Sequence, residues 1–268
     1  MKVYLGCSGW SYDAWVGPFY PSGSKPADYL KLYSRVFDAV EIDSTFYRLP
    51  SSRMIQRWAS STPDNFVFTA KMPKQITHES GFEDYQKLLG YFINSMNILH
   101  GKLGCILVQL PPSFTYSKVW KKLGAFLEVL PHGFCYAIEF RHSDWFRSEV
   151  YKRLEELNIT MAWSETPYTD TPPVMTTSLV YLRLVGDRSI REEQFGRIVK
   201  DRSDAIKKWA KNIKEANPDR VFAFSNNHFQ GFGPATVNQL RRELGMEELN
   251  WSRTMLSYRD VGQRSLFE

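Results

Sequence analysis

Short apolar runs recur along the chain at residues 3–8, 39–43, 66–71, 104–110, 136–142, 159–164, 179–185 and 221–225, and each reads as a β-strand. Between most of them, apolar positions fall at helical spacing, at 26–35, 51–60, 82–99, 117–130, 147–157, 203–215 and 234–244. Pro26 suits a first helical turn, and Ser51 or Ser52 suits the cap of the next helix. Pro111 and Pro112 end the fourth strand, because proline cannot continue a ladder. Residues 165–178 are rich in Pro and Thr and show no helical period. A connection of that length without structure is uncommon and is often functional, though it also suits a plain surface crossing.

Strands alternating with helices predict one parallel α/β sheet. The strand starts lie about 20 to 42 residues apart, which brackets the repeat of a roughly 250-residue (β/α)8 barrel. The competing open, doubly wound sheet announces itself with a glycine-rich first turn. Here the first strand runs into Gly6-Cys7-Ser8-Gly9-Trp10, which lacks that spacing. The expectation is a single TIM-barrel domain over 1–268, with an irregular connection between its sixth and seventh strands. The tail at 251–268 either packs Trp251, Met255 and Leu256 against the barrel or crosses its end.

Side chains alternate along a strand, so placing the bulky apolar set against the helices turns the other set into the barrel. That rule sends inward Tyr4, Gly6 and Ser8, then Glu41 and Asp43, Thr69 and Lys71, Gln109, Glu139 and Arg141, Tyr181 and Arg183, and last Ser225 and Asn227. The sixth strand stays open, with either Trp163 or the pair Ala162 and Ser164 inside. The polar members cluster at the C-terminal strand ends, where TIM barrels build their active sites. One such residue is readily a structural ion pair. Many on one face are costly to bury without water or a ligand, so a polar cavity is expected at that mouth.

The lining sets the chemistry. Lys71, Arg141 and Arg183 supply cations, His78, His142 and His228 lie in nearby loops, and Asn226 and Asn227 add neutral donors. Glu41 and Glu139 are acceptors and acid–base candidates. Donors outnumber carboxylates in this reading, which predicts a net cationic site for a phosphate, phosphodiester or carboxylate. Trp10, Tyr12, Trp15, Phe46, Tyr47 and Trp145 either stack on sugars or bases or pack beneath the loops.

Three functions follow. The first is a hydrolase acting on a phosphate-bearing sugar, nucleotide or nucleic acid. Glu139, Glu41 and His142 would be catalytic, and Ser8, Trp10, Tyr12, Lys71, Gln109, Arg141, Arg183, Asn226, Asn227 and His228 would contact substrate. A divalent metal held by Glu41, Glu139 and His142 or His228 is compatible with this, but no spacing demands one. The second is a glycosidase using Glu41 and Glu139. The third is a non-catalytic binder of nucleic acid or an anionic metabolite.

Composition changes the picture little. With 43% hydrophobic and 24% charged residues, the 268-residue chain resembles a soluble globular protein, and no apolar run suggests a membrane span, so a cytoplasmic location without membrane partners is expected. Cys7, Cys105 and Cys135 have no CxxC spacing and read as small buried hydrophobes. The net charge of +5 leans modestly toward anionic partners.

Seven segments carry a resemblance: GCSGWSY at 6–12, EIDSTFYRLP at 41–50, FTAKMPKQITH at 68–78, LVQLPPSF at 107–114, YAIEFRH at 136–142, YLRL at 181–184 and NNHFQGFG at 226–233. Together they resemble the YecE-like family, a domain of unknown function, over nearly the whole chain. The resemblance implies a TIM barrel and no established activity. Asp43 stands where that pattern leads one to expect asparagine, and Val185 where histidine often follows, departures that weaken any metal or proton-transfer role the resemblance would assign to these two positions.

Overall fold

The computed structural model describes residues 1–255, and its strands form a single parallel sheet. They are β1 (Lys2–Ser8), β2 (Ala39–Ile42), β3 (Val67–Lys71), β4 (Leu103–Gln109), β5 (Tyr136–Glu139), β6 (Thr160–Met161), β7 (Trp163–Glu165), β8 (Leu179–Leu184) and β9 (Arg220–Ser225). Their order, β6-β5-β4-β3-β2-β1-β9-β8-β7, places β6 and β7 at opposite ends. These two are the halves of the sixth predicted strand, parted at Ala162, whose N–H donates to Ile138 O at 2.8 Å. The sheet thus closes on itself through one residue, giving the TIM-barrel fold.

The helices are α1 (Pro26–Tyr33), α2 (Ser52–Ser60), α3 (Gln86–Asn97), α4 (Tyr116–Glu128), α5 (Ser148–Glu156), α6 (Ser203–Ala216), the short α7 (Asn227–Gln230) and α8 (Gly233–Glu243). Each longer helix lays one apolar stripe on the sheet. In α6 the buried set is Ile206, Trp209, Ala210 and Ile213, at helical spacing. Ser51 caps α2 by accepting from Met54 N–H. α3 starts four residues later than predicted, because Phe82 and Asp84 take left-handed backbone (φ 67° and 46°) that a helix cannot include. No helix of the described residues is long and apolar enough to cross a membrane.

The barrel interior holds Tyr4, Ala39, Val67, Cys105, Leu107, Ala137, Ala162, Tyr181, Phe222 and Phe224. This settles the sixth strand: Ala162 is inside and Trp163 packs outward. It also corrects the last strand. Phe222 and Phe224 point inward, so Ser225 shares the outward face of Val221 and Ala223. The physical reason is volume: Ala39, Ala137 and Ala162 leave space in the interior, and a close-packed barrel fills it with rings from β9.

Cys7 and Cys105 are buried, as expected of small hydrophobes, but Cys105 and Cys135 also meet, Sγ to Sγ, at 3.0 Å. At the C-terminal side, Trp251 donates its indole N–H to Pro18 O at 2.9 Å, and Met255 is buried. Both pack against the barrel as one of the two expectations had it, while Leu256 lies outside the described residues.

Residues 166–178 have no helix, and they are part of the wall. Thr176 Oγ1 accepts from Met161 N–H at 2.8 Å and donates to Ile159 O at 2.7 Å. Val174 O accepts from the Trp163 indole, and Thr171 meets Ser164. The hydroxyl of Thr176 thus satisfies backbone where β6 has no neighbour on its β8 side. Thr176→Val keeps the shape and removes both bonds, so we expect a loss of about 1–3 kcal/mol and a Tm lower by roughly 2–4 °C per kcal/mol. Thermal melts of the two proteins check this, and equal Tm values would show the hydroxyl to be dispensable.

Candidate active site

The C-terminal strand ends bring the expected ionic residues together in two layers. The inner layer is sealed. Arg183 on β8 donates Nε to Glu41 Oε2 at 2.8 Å, Nη2 to Glu41 Oε1 at 2.7 Å and Nη1 to Glu139 Oε2 at 2.5 Å. Ser8 Oγ donates to Glu41 Oε1 and Tyr181 OH to Glu41 Oε2, both at 2.8 Å, and Thr69 meets the Tyr181 hydroxyl at 2.9 Å. Glu41 and Glu139 are both 0% exposed. Buried carboxylates persist only when paired in this way, and the bidentate guanidinium is the group best shaped for it.

The outer layer lies one alternation further along the same strands. Arg141 donates Nε to Glu139 Oε1 at 2.6 Å and leaves its two terminal nitrogens without an acceptor among the described residues. The Lys71 ammonium sits over the Phe46 ring, 3.7 Å from its centroid, and 3.8 Å from Asp43 Oδ1, with no hydrogen-bond acceptor among the described residues. Asp43 Oδ1 is itself buried without a hydrogen-bond partner, although Arg183 Nη2 lies 3.5 Å away. Three cations therefore meet three carboxylates, and the network is balanced rather than cationic. Asp43 is the third carboxylate, and it offsets the expected excess of donors.

Burial and charge divide the titrating groups. Burial alone pushes the Glu139 carboxyl up, but the Arg141 and Arg183 guanidiniums bonded to it outweigh that and bring its pKa to about 2. Burial pulls Lys71 down, and Arg183 and Arg141 add to this against the pull of Asp43, leaving a pKa of about 8. His78 is lowered to about 4 by burial and by Lys71 and Arg141. Its Nε2 lies 3.3 Å from Gln109 Nε2, and its Nδ1 lies 2.8 Å from Thr77 Oγ1. At neutral pH, Glu139 is thus firmly ionised, His78 is neutral, and Lys71 is poised to exchange a proton.

His142 lies past β5 with Nδ1 2.8 Å from Asp144 Oδ1, and Asp144 Oδ2 accepts from Tyr116 N–H. The carboxylate fixes the ring and leaves Nε2 without a partner among the described residues. Asp144 was not singled out in the sequence, and only its spacing from His142 could have signalled it. Tyr181 and Thr69 were placed inward by alternation but not assigned to the site.

Other expected contacts turn out to hold the fold. Asn227 Oδ1 accepts from the Trp15 indole at 3.1 Å and from Gly233 N–H at 2.9 Å, and Asn226 caps α7. His228 Nδ1 lies 2.9 Å from Ile190 O. Trp10 packs edge-on against Trp58, and Tyr12 donates its hydroxyl to Ser8 O. Trp15 and Trp145 are fully buried, so neither is a stacking platform, whereas Phe46 faces the site.

The ligand set that a divalent ion would use if one took part, Glu41, Glu139 and His142 or His228, does not fit such an ion. The Arg183 guanidinium stands between the two carboxylates where a shared cation would stand, and among the described residues no three His, Cys, Asp or Glu side chains are grouped to bind one. The same guanidinium excludes the glycosidase arrangement. That chemistry needs one protonated and one ionised carboxyl flanking a sugar, and here a single arginine fills the space between them.

Fold and site together define a TIM-barrel protein whose C-terminal strand ends converge on a buried carboxylate–guanidinium network. The chain belongs to the family described as protein of unknown function DUF72, which it matches over residues 4–257. It is 33% identical over 144 residues to UPF0759 protein YecE of Escherichia coli, a match covering 54% of this chain and 50% of that protein. It is 31% identical over 162 residues to UPF0759 protein YunF of Bacillus subtilis, covering 56% and 55%. The chain therefore matches about half the length of these curated relatives. A DUF72 family protein from Thermotoga maritima superimposes with a TM-score of 0.79 at 28% identity, covering 91% of this chain and all of that one. One from Enterococcus faecalis, at 20% identity and a TM-score of 0.74, shares the fold.

Proposed function

We propose that the barrel mouth is the active site of an enzyme acting on a small molecule that carries both an anionic group and a hydroxyl, such as a sugar phosphate or a hydroxy acid. The observation that carries this reading is the outer layer's unpaired atoms. Arg141 and Lys71 offer N–H donors with no acceptor among the described residues, beside Asp43 Oδ1, an acceptor with no donor. Folded proteins rarely leave a buried acceptor such as Asp43 Oδ1 unmatched, and such atoms occur where a ligand completes them. An anion answers the two cations and a hydroxyl answers the carboxylate.

Roles follow from the geometry. Arg183, bonded to Glu41 and Glu139 through all three of its nitrogens, braces the site rather than clamping substrate. Glu139 is too weak a base at a pKa of about 2 to accept a proton at neutral pH, so it orients Arg141. Lys71 and the His142–Asp144 pair are left for proton transfer. Phosphoester hydrolysis is one reaction they could serve. Lys71 is 7% exposed, and a recessed cation suits a small ligand better than a nucleic acid, which needs an open basic groove.

Titration with inorganic phosphate and with glucose 6-phosphate, followed by calorimetry, tests the reading. Binding is expected in both cases, weakening as pH rises through about 8, because the Lys71 ammonium is present below that value and lost above it. Arg141→Gln should weaken binding by about tenfold or more, the worth of a hydrogen bond to a charged group at ~1.5–3 kcal/mol. Equal affinity in Arg141→Gln, or no binding to the native protein, would overturn the proposal.

A further inference from the structure

We infer that Lys71 forms an imine with the carbonyl group of an anionic aldehyde or ketone whose charged end is held by Arg141. This rests on the anion-site reading above and adds a covalent step to it. A lysine used only to pair with an anion is normally solvated or salt-bridged. Lys71 is held only loosely: its side chain is largely buried, its one ion pair, to Asp43 Oδ1 at 3.8 Å, is beyond hydrogen-bond reach, and the face of Phe46 covers it without offering a proton acceptor. Deprotonating it breaks no hydrogen bond among the described residues. This is how lysines that act as nucleophiles are prepared, by desolvation and by neighbouring cations.

The charged and titratable groups facing Lys71 are Asp43 after β2, Arg183 on β8, Arg141 and Glu139 at the end of β5, and His78 in the turn after β3. Two of these are guanidiniums that oppose its charge and so favour the free amine, alongside burial. With its pKa at about 8, roughly a tenth of the amine is neutral at pH 7, against fewer than one in a thousand for an ordinary lysine. Asp43 Oδ1 is the proton carrier. It lies within ion-pair reach of Nζ, is buried and has no hydrogen-bond partner of its own.

The step balances without any other reagent. The Lys71 ammonium gives one proton to Asp43, and the freed Nζ lone pair attacks the carbonyl carbon as the C=O π electrons move to oxygen. That oxygen takes the proton back from Asp43, giving a carbinolamine. A second proton, passed from nitrogen to the hydroxyl, lets the nitrogen lone pair expel water. The ammonium and the carbonyl compound thus become an iminium ion and one water, with charge unchanged. The positive nitrogen then draws electrons from the adjacent carbon, the activation needed to break a C–H or C–C bond next to a carbonyl.

The test is reductive trapping. The intact protein is incubated with pyruvate, and separately with dihydroxyacetone phosphate, in the presence of sodium cyanoborohydride. Adducts are then counted by intact mass and located by peptide mapping. The expected result is a single reduced adduct on Lys71. Its formation rate should rise about tenfold from pH 7 to pH 9 and then level, where an ordinary lysine climbs about a hundredfold over the same interval. Lys71→Arg, checked for folding by its melting curve, should lose the adduct. Label spread over exposed lysines without preference for Lys71 would overturn the imine, and that result is read from the native protein alone. Phosphate binding measured in parallel separates the two failures. Retained binding without a Lys71 adduct removes the imine and leaves the anion site, whereas loss of both removes the anion site as well.

Discussion

Arg183→Met is expected to destabilise the barrel by about 3–5 kcal/mol, the cost of removing one partner from a buried ion pair and leaving the other charge uncompensated. Arg183 is 3% exposed and holds two carboxylates that are both 0% exposed. Methionine fills much of its volume, so what is lost is mainly charge and hydrogen bonding. At roughly 2–4 °C per kcal/mol, Tm should fall by about 6 to 20 °C. The control is the triple variant Arg183→Met with Glu41→Gln and Glu139→Gln, in which the stranded charges are gone. It should recover a substantial part of the loss, because removing a buried pair whole costs far less than breaking it. A triple variant no more stable than Arg183→Met would mean that the arginine acts through packing. The network also has an acid limit. Because the folded-state pKa of Glu139 is depressed to about 2, its ionisation stabilises the fold above the unfolded-state value of ~4.3, and that contribution is lost as pH falls toward 2.

Gly6→Ala should be nearly as damaging, by more than about 3 kcal/mol, at the upper end of what overpacking costs. A Cβ at Gly6 would lie 2.0 Å from Ala39 O and 2.7 Å from the Tyr33 hydroxyl. Backbone oxygen cannot swing away as a side-chain tip can. The Tyr33 hydroxyl accepts from Cys7 N–H and donates to Ala39 O, tying β1 to β2 at this level. Forcing it out separates the two strands just before Ser8, whose hydroxyl holds Glu41. The variant should therefore lose both stability and phosphate affinity. A denaturant melt with the native midpoint would show that the strands accommodate the methyl group.

The strands and helices were legible because barrel staves and their covering helices differ in apolar period, and the charged strand ends were legible because alternation decides which way a side chain points. Glu41, Lys71, Glu139 and Arg183 could be placed on one face without knowing anything of their partners. Their partnership could not be read. Arg183 and Glu41 lie 142 residues apart, and which carboxylate a guanidinium meets depends on strand stagger around a closed ring, which local pattern does not encode. The sequence marks Arg183 as an inward cation but carries no sign that it is the most heavily bonded one in the site. The last strand departs from expectation for a different reason: bulk marks an outward face only where the interior is full, and Phe222 and Phe224 fill an interior left roomy by small residues on other staves. The aromatic loops were ambiguous in sequence, since Trp145, stacked on Phe140, and Phe46, facing a lysine, have much the same local surroundings.

The join at Ala162 limits how this scaffold can diversify. In most TIM barrels the segment following a strand is free to lengthen, and new specificities are gained by insertion there. Here the stretch from 166 to 178 is fastened to the sixth stave through Thr171, Val174 and Thr176, so an insertion within it would loosen the circumference itself. Variation among related proteins is accordingly expected to accumulate in the other segments around the rim, with this one held to a near-constant length.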